Sequence, residues 1–104
     1  MSTPKFLTGS IFTTQTVAKV MQETPLFSTL CQVLLNRHKK ADWGDMAEED
    51  IESNNEALLT DGRLFSSYNL TDELKSLISV DEKKVWIITE YDRSATTILF
   101  PTEY

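Results

Sequence analysis

The residue types best suited to chemistry are concentrated in one acidic stretch and in the single histidine that precedes it. Seven carboxylates lie within residues 42–56, and no lysine or arginine occurs from position 41 to position 62: Asp42, Asp45, Glu48, Glu49, Asp50, Glu52 and Glu56. Histidine titrates near neutral pH without perturbation, and carboxylate oxygens with one imidazole suit magnesium or manganese. One interpretation is therefore a small metal-dependent or acid–base enzyme centred on His38 and the acids from Asp42 to Asp50.

A solvated helix face explains the same residues without any reaction. Asp45 and Glu49 share one side of a helix at a spacing of i, i+4, but Asp50 lies about 100° round the axis from Glu49. At the end of an apolar helix face, His38 is more often a structural residue that caps the last carbonyls than a catalytic base. We therefore expect no catalytic residue, no metal ion and no cofactor, and the enzyme remains the alternative interpretation.

The preferred interpretation is that the acidic stretch binds a protein partner with a basic surface. Negative charge attracts a surface rich in lysine and arginine. Trp43 is a loop aromatic flanked by acids, which is typical of an interface anchor. The expected partner-binding residues are one aromatic and five acids: Trp43, Asp45, Glu48, Glu49, Glu52 and Glu56.

Composition excludes several other classes of protein. The chain has 104 residues, 40% of them apolar, and a formal charge of −6, which fits one domain over residues 1–104 and opposes direct binding of nucleic acid. The one cysteine, Cys31, forms no internal disulfide, cannot build a zinc site with one histidine, and is expected to be an inert core thiol. The apolar runs are too short to span a membrane and no secretion signal is present, so we expect a cytoplasmic protein.

Two helices are predicted early in the chain. Thr14 or Thr16 can cap a short helix that runs through Met21. Thr24 followed by Pro25 predicts the start of a second helix, with the threonine side chain accepting a hydrogen bond from the first turn. The second helix carries one apolar side, formed by residues at helical spacing: Phe27, Leu30, Cys31, Leu34 and His38.

A third helix is predicted in the acidic stretch. Asp45 and Glu48 have the spacing of a capping pair at its start. The helix is expected to run to about Leu59, where Asp61 and Gly62 supply a stop signal.

The second half of the chain is dominated by β-strands. Residues 85–89 and 96–100 are rich in β-branched and aromatic residues, which predicts a hairpin of two central strands, apolar on both faces. Its turn contains Asp92, Arg93 and Ser94, where Asp92 can bond to the amides of the turn. Ion pairs among the four charged residues at these strand ends are expected to be structural: Arg63, Glu90, Asp92 and Arg93.

Two further strands and an insert complete the predicted fold. Strands are expected over residues 6–13, with Gly9 at a bulge or a close backbone approach, and over residues 63–68. The insert up to residue 82 is expected to protrude, with a short helix capped near Thr71. The predicted class is α+β, with a three- to four-stranded, largely antiparallel sheet and two to three helices packed on it.

A set of residues spread over most of the chain forms a recognisable pattern: His38, Asp42-Trp43-Gly44-Asp45, Glu49-Asp50, Asn54, Gly62-Arg63, Ser67-Tyr68, Trp86, Thr89-Glu90, Asp92-Arg93, Thr96-Thr97 and Pro101-Thr102-Glu103-Tyr104. In this pattern the chain resembles a family of small uncharacterised proteins carried on bacterial plasmids, integrative elements and phages. The resemblance is most specific in the C-terminal half. It implies a mobile-element setting, in which accessory proteins serve transfer, maintenance or suppression of host defence.

On that resemblance, the expected partner is a host protein and the expected role is inhibition of a nucleic-acid-binding defence effector, of an anti-CRISPR or anti-restriction type. A structural homodimer, formed through the sheet edge or the insert, is a further alternative to the enzyme and to the binding protein.

Overall fold

The computed structural model describes residues 3–104 as a four-stranded sheet with helices packed on it. In chain order the elements are β1 (Ser10–Thr13), α1 (Gln15–Glu23), α2 (Pro25–Lys39), α3 (Glu48–Thr60), β2 (Leu64–Asn69), α4 (Asp72–Leu77), β3 (Lys84–Thr89), β4 (Ala95–Leu99) and a 3-10 turn at Pro101–Glu103. The strand order is β1-β4-β3-β2, with β1 parallel to β4 and the other two pairs antiparallel. The predicted α+β class and largely antiparallel sheet are confirmed.

The central hairpin forms where the sequence predicts it. β3 and β4 pair directly, and each has a neighbour on its other side, so both are central strands. In the turn, Asp92 Oδ1 accepts a hydrogen bond from the Ser94 amide at 3.0 Å, and Arg93 adopts a φ of +60°. The short polar side chain of Asp92 therefore satisfies the backbone of this turn, as expected.

The first two helices begin at the predicted residues, but only one of them begins with a side-chain cap. Thr14 Oγ1 accepts a hydrogen bond from the Val17 amide at 3.3 Å. The Thr24 side chain makes no such bond, and its backbone carbonyl instead accepts from the Phe27 amide at 2.9 Å. The predicted capping by the Thr24 hydroxyl is therefore wrong, although α2 begins at Pro25 as predicted.

The third helix begins three residues later than predicted. α3 starts at Glu48, with Ala47 in the capping position and no side-chain cap. Asp45 is unavailable as a cap because its amide donates to the Ser67 carbonyl at 2.6 Å and its Oδ2 accepts from the Asn69 amide at 2.9 Å. Pairing with β2 thus replaces the predicted capping of α3. The predicted stop is confirmed, since Asp61 adopts a left-handed φ of +57°.

The insert between β2 and β3 is anchored to the core at its two ends, whereas α4 between them has no buried residue. Leu70 and Ile78 are 5% and 7% exposed and belong to the hydrophobic core. Thr71 caps α4, as predicted, by accepting a hydrogen bond from the Leu74 amide at 3.2 Å. The apolar residues at the two ends of the insert therefore hold it against the sheet.

β1 is shorter than predicted because the chain passes very close to the hairpin turn. Only Ser10–Thr13 pair with β4. Gly9 precedes them with a φ of +62°, and a Cβ at this position would lie 2.2 Å from the Ser94 carbonyl oxygen. The predicted close backbone approach at Gly9 is confirmed, and only glycine fits there without strain.

The core helices cover only one face of the sheet. Residues of α1 and α2 pack with alternate residues of β3 and β4 in one core, which includes Val17, Val20, Phe27, Cys31, Leu34, Val85, Ile87, Ile98 and Phe100. The opposite face, here named the open face, carries six residues that lie side by side on neighbouring strands: Phe12, Phe65, Trp86, Ile88, Thr97 and Leu99. Within residues 3–104, none of these six belongs to the helix-packed core.

Candidate functional site

The acidic side of α3 is the strongest candidate for a binding surface. Four exposed carboxylates form it and are here named the acidic face: Glu48, Glu49, Glu52 and Glu56. Asn54 holds the helix against the edge of β2, because its Nδ2 donates to the Phe65 carbonyl at 2.5 Å and its Oδ1 accepts from the Phe65 amide at 3.0 Å. Glu52 and Glu56 lie about 160° round the helix from Asn54 and therefore point away from the sheet.

No cation among residues 3–104 forms an ion pair with the acidic face. The ion pairs within residues 3–104 join Arg37 to Asp42, Arg63 to Glu90 and Lys75 to Asp72, and none involves the acidic face. The acids of the first turn interact favourably with the helix dipole, but Glu52 and Glu56 repel each other at a spacing of i, i+4. Part of this charge therefore opposes the stability of the helix.

Trp43 does not lie on the surface, so the prediction that it anchors an interface is wrong. Its side chain is 3% exposed, and its ring packs at 6.1 Å from Phe6 and 5.6 Å from His38, measured between centroids. The indole Nε1 donates to Asn55 Oδ1 at 2.9 Å, which ties α3 to the core. The carbonyl of Trp43 accepts from the Ser67 amide, and this pairing with β2 places the ring inside. Its charged sequence neighbours gave no sign of this.

The two acids around Trp43 also have structural partners. Asp45 is exposed, but its carboxylate accepts the Asn69 amide. Asp42 pairs with Arg37 at 2.7 Å between Oδ2 and Nε. The hydrogen bond from Arg37 lowers the pKa of Asp42 below its ordinary value. Of the six predicted partner-binding residues, the structure therefore leaves Glu48, Glu49, Glu52 and Glu56 exposed and without structural partners among residues 3–104.

His38 belongs to a buried chain of hydroxyl groups on the covered face of the sheet. Its Nδ1 lies 2.5 Å from Ser66 Oγ, and its Nε2 lies 2.8 Å from Thr89 Oγ1. Thr89 Oγ1 lies 2.7 Å from Thr96 Oγ1, which donates to the Thr8 carbonyl at 2.8 Å. The expected structural role of His38 is right, but its partners are these hydroxyls and not the carbonyls at the end of α2.

The direction of these hydrogen bonds assigns the tautomer of His38. Thr96 uses its proton on the Thr8 carbonyl, so Thr89 donates to Thr96 and its oxygen is left to accept from Nε2–H of His38. Nδ1 then carries no proton and accepts from the Ser66 hydroxyl. Every group is satisfied with a neutral ring, and burial lowers the pKa of His38 to about 3, with the charge of Arg93 adding to the effect.

The structure does not gather the residues of the alternative enzyme into one pocket: His38 is buried, whereas the acids are exposed, namely Asp42, Asp45, Glu49 and Asp50. Ser66 and His38 have the contact of a nucleophile and its base, but both side chains are 0% exposed and no substrate can reach them. No group of three or more histidine, cysteine or acidic side chains in residues 3–104 is placed to hold a metal ion. Burial raises the pKa of Cys31 to about 12, as expected for an inert thiol.

Within residues 3–104 no helix has the length and apolar character needed to cross a bilayer. Neither family models nor curated proteins match the sequence, and no solved structure matches the fold.

Proposed function

We propose that this protein is a non-catalytic binding protein of the cytoplasm whose acidic face engages a basic surface on another protein. The observation that supports the proposal is a set of exposed, unpaired carboxylates on a helix that is fixed to the sheet by Asn54 and Trp43. A rigid helix loses little conformational freedom on binding, so the attraction of its charges is retained in the complex.

The spacing of the carboxylates supports a partner that ordinarily binds nucleic acid. Glu49, Glu52 and Glu56 are separated along the helix axis by about 4.5 Å and 6 Å. Phosphates on one strand of a duplex repeat about every 3.4 Å along the axis, so the helix presents negative charges somewhat more widely spaced than those of a nucleic acid strand. An array of this kind competes for the lysines and arginines that would hold phosphates. Its proposed use is inhibition of a host defence effector by a protein from a mobile element.

Charge reversal on the acidic face tests this proposal. The variant Glu52→Lys/Glu56→Lys should lose the partner that the unchanged protein recovers from a host lysate, and the recovered complex should weaken as salt is raised. A matched control, Glu73→Lys/Asp81→Lys, changes the net charge equally at two other exposed acids and should keep the partner.

Competition then tests the mode of binding. Nucleic acid added to the recovered complex should displace this protein, since both would occupy the same basic residues. A partner that is retained by the Glu52→Lys/Glu56→Lys variant and at high salt would show that the acidic face is only a solvated helix surface.

A further inference from the structure

The open face carries opposite charges at the two ends of β3, so two copies of this strand running in opposite directions would bring opposite charges together. Lys84, Trp86, Ile88 and Glu90 alternate along β3 and its extension, and therefore project to this face. Ile88 is 3% exposed and Trp86 is half-buried, whereas Lys84 is exposed. A positive charge thus lies at one end of the strand, a negative charge at the other, and apolar side chains lie between them.

Such a pattern is what an interface between two identical chains requires. In a twofold dimer both copies use the same patch. If one residue contacts a second residue on the other copy, the second residue also contacts the first across the interface. A twofold axis between two facing sheets that crosses β3 at Ile87 puts Lys84 of each copy against Glu90 of the other. The same axis brings Trp86 of each copy over the position of Ile88 in the other. Ile88 itself is only 3% exposed, so the apolar contact falls on its more exposed neighbours Trp86 and Phe65.

The surroundings of β3 extend this apolar surface. Phe65 lies beside Ile88, and Leu99 lies beside Trp86. Phe12 is 53% exposed at the β1 edge, and the Tyr104 ring, 71% exposed, stands 5.7 Å from the Trp86 ring. A groove of about 390 Å³ between Trp86 and Pro101 leaves room beside Lys84 for side chains of a facing copy. Aromatic residues of this kind dominate the energetics of interfaces.

Charge opposes a second copy less at this face than at the acidic face. The protein carries a formal charge of −6, so two copies repel each other in general. On the open face Arg63 and Lys84 offset Glu90, and within residues 3–104 no ion pair includes Lys84. The acidic faces lie on one side of such a dimer, with the sheets about 10 Å apart, where salt at about 0.1 M screens much of their repulsion.

We propose that the open face is a self-association surface on which two copies pack sheet against sheet, with Lys84 of each copy facing Glu90 of the other. This surface is separate from the acidic face, and the proposal does not depend on the proposed function. The footprint measures about 15 Å by 20 Å. Each copy therefore contributes roughly 300 Å², against about 800 Å² per partner in a standard interface, so we expect a weak dimer that forms only at high protein concentration.

Sedimentation velocity over a concentration series, at about 0.15 M salt, tests the proposal. The unchanged protein should shift from monomer to dimer as its concentration rises. Lys84→Glu and Glu90→Lys should each weaken the dimer by roughly tenfold or more, because each replaces two attractive pairs with two repulsive ones. The double variant Lys84→Glu/Glu90→Lys should restore it in part, because the Glu90→Lys change also removes the ion pair with Arg63 within each copy. Lys19→Glu and Glu73→Lys are controls with equal charge changes on α1 and α4 and should leave it unchanged.

A further variant separates loss of the interface from loss of folding. Thr97→Arg places a charge in the middle of the footprint and leaves Lys84 and Glu90 intact, and it should abolish the dimer while the circular dichroism spectrum is retained. A protein that stays monomeric up to about millimolar concentration would overturn the proposal. So would a double variant that fails to restore the dimer, or controls that weaken it as much as the single charge reversals.

Discussion

His38 should make the stability of this protein fall as the pH drops from about 7.5 to about 5. The chain contains one histidine, and burial lowers its pKa from 6.5 to about 3. Below pH 6.5 the unfolded chain binds a proton that the native chain does not. The free energy of unfolding therefore falls as pH falls, by up to about 1.4 kcal/mol per pH unit, until the native ring is protonated near pH 3.

The expected loss between about pH 7.5 and pH 5 is about 2 kcal/mol, from the linkage of the two pKa values. This range stays above the ordinary pKa of carboxyl groups, about 4, so their titration contributes little. A loss of this size is a large part of the stability of a small domain, which is typically about 5–15 kcal/mol.

Urea unfolding at these two pH values, followed by tryptophan fluorescence, measures the loss. His38→Gln is the comparison variant, because glutamine is neutral at both pH values and can hydrogen-bond to both Ser66 and Thr89. The variant should be less stable overall, but its stability should change by less than about 0.5 kcal/mol between the two pH values. An equally large loss in the variant, or no loss in the unchanged protein, would refute the reasoning that the ring is buried and neutral.

Three other features of the structure make separate predictions. Cys31 should react with a thiol reagent such as Ellman's only in denaturant, because burial raises its pKa to about 12, and rapid reaction in native buffer would contradict this. Gly9→Ala should lower the free energy of unfolding by about 1–3 kcal/mol, since its φ is +62° and the added Cβ would lie 2.2 Å from the Ser94 oxygen; an unchanged urea midpoint would argue against that contact. Glu52→Gln or Glu56→Gln should raise stability by about 0.2–0.5 kcal/mol at low salt, and a decrease would mean that these carboxylates have stabilising partners.

Local sequence patterns were sufficient to predict turns, helix caps and helix starts, where a residue acts only on its neighbours in the chain. The Asp92 turn, the Thr14 and Thr71 caps and the start of α2 at Pro25 were all predicted and are confirmed. Each depends on a side chain or ring that satisfies or restricts backbone groups within about four residues. The exposure of the four glutamates of the acidic face that were predicted to bind a partner follows from similar reasoning, because unpaired charges are costly to bury.

Contacts between segments that are distant in the chain decided the roles of Asp45, Trp43 and His38. Asp45 and Trp43 were assigned to a cap and to the surface, and pairing with β2 gave both of them structural roles. The partners of His38 come from strands 28 and 51 residues away along the chain.

The sequence by itself determined the α+β class, the central hairpin and the acidic character of α3, because these depend on residue type and on periodicity along the chain. The tertiary structure alone decided that helices cover one face of the sheet and leave Trp86 and Phe65 on the other. An apolar strand has the same sequence pattern whether a helix, a second copy or only its own neighbours shield it from water. Burial on the face opposite the helices therefore depends on other segments, which the strand sequence does not specify.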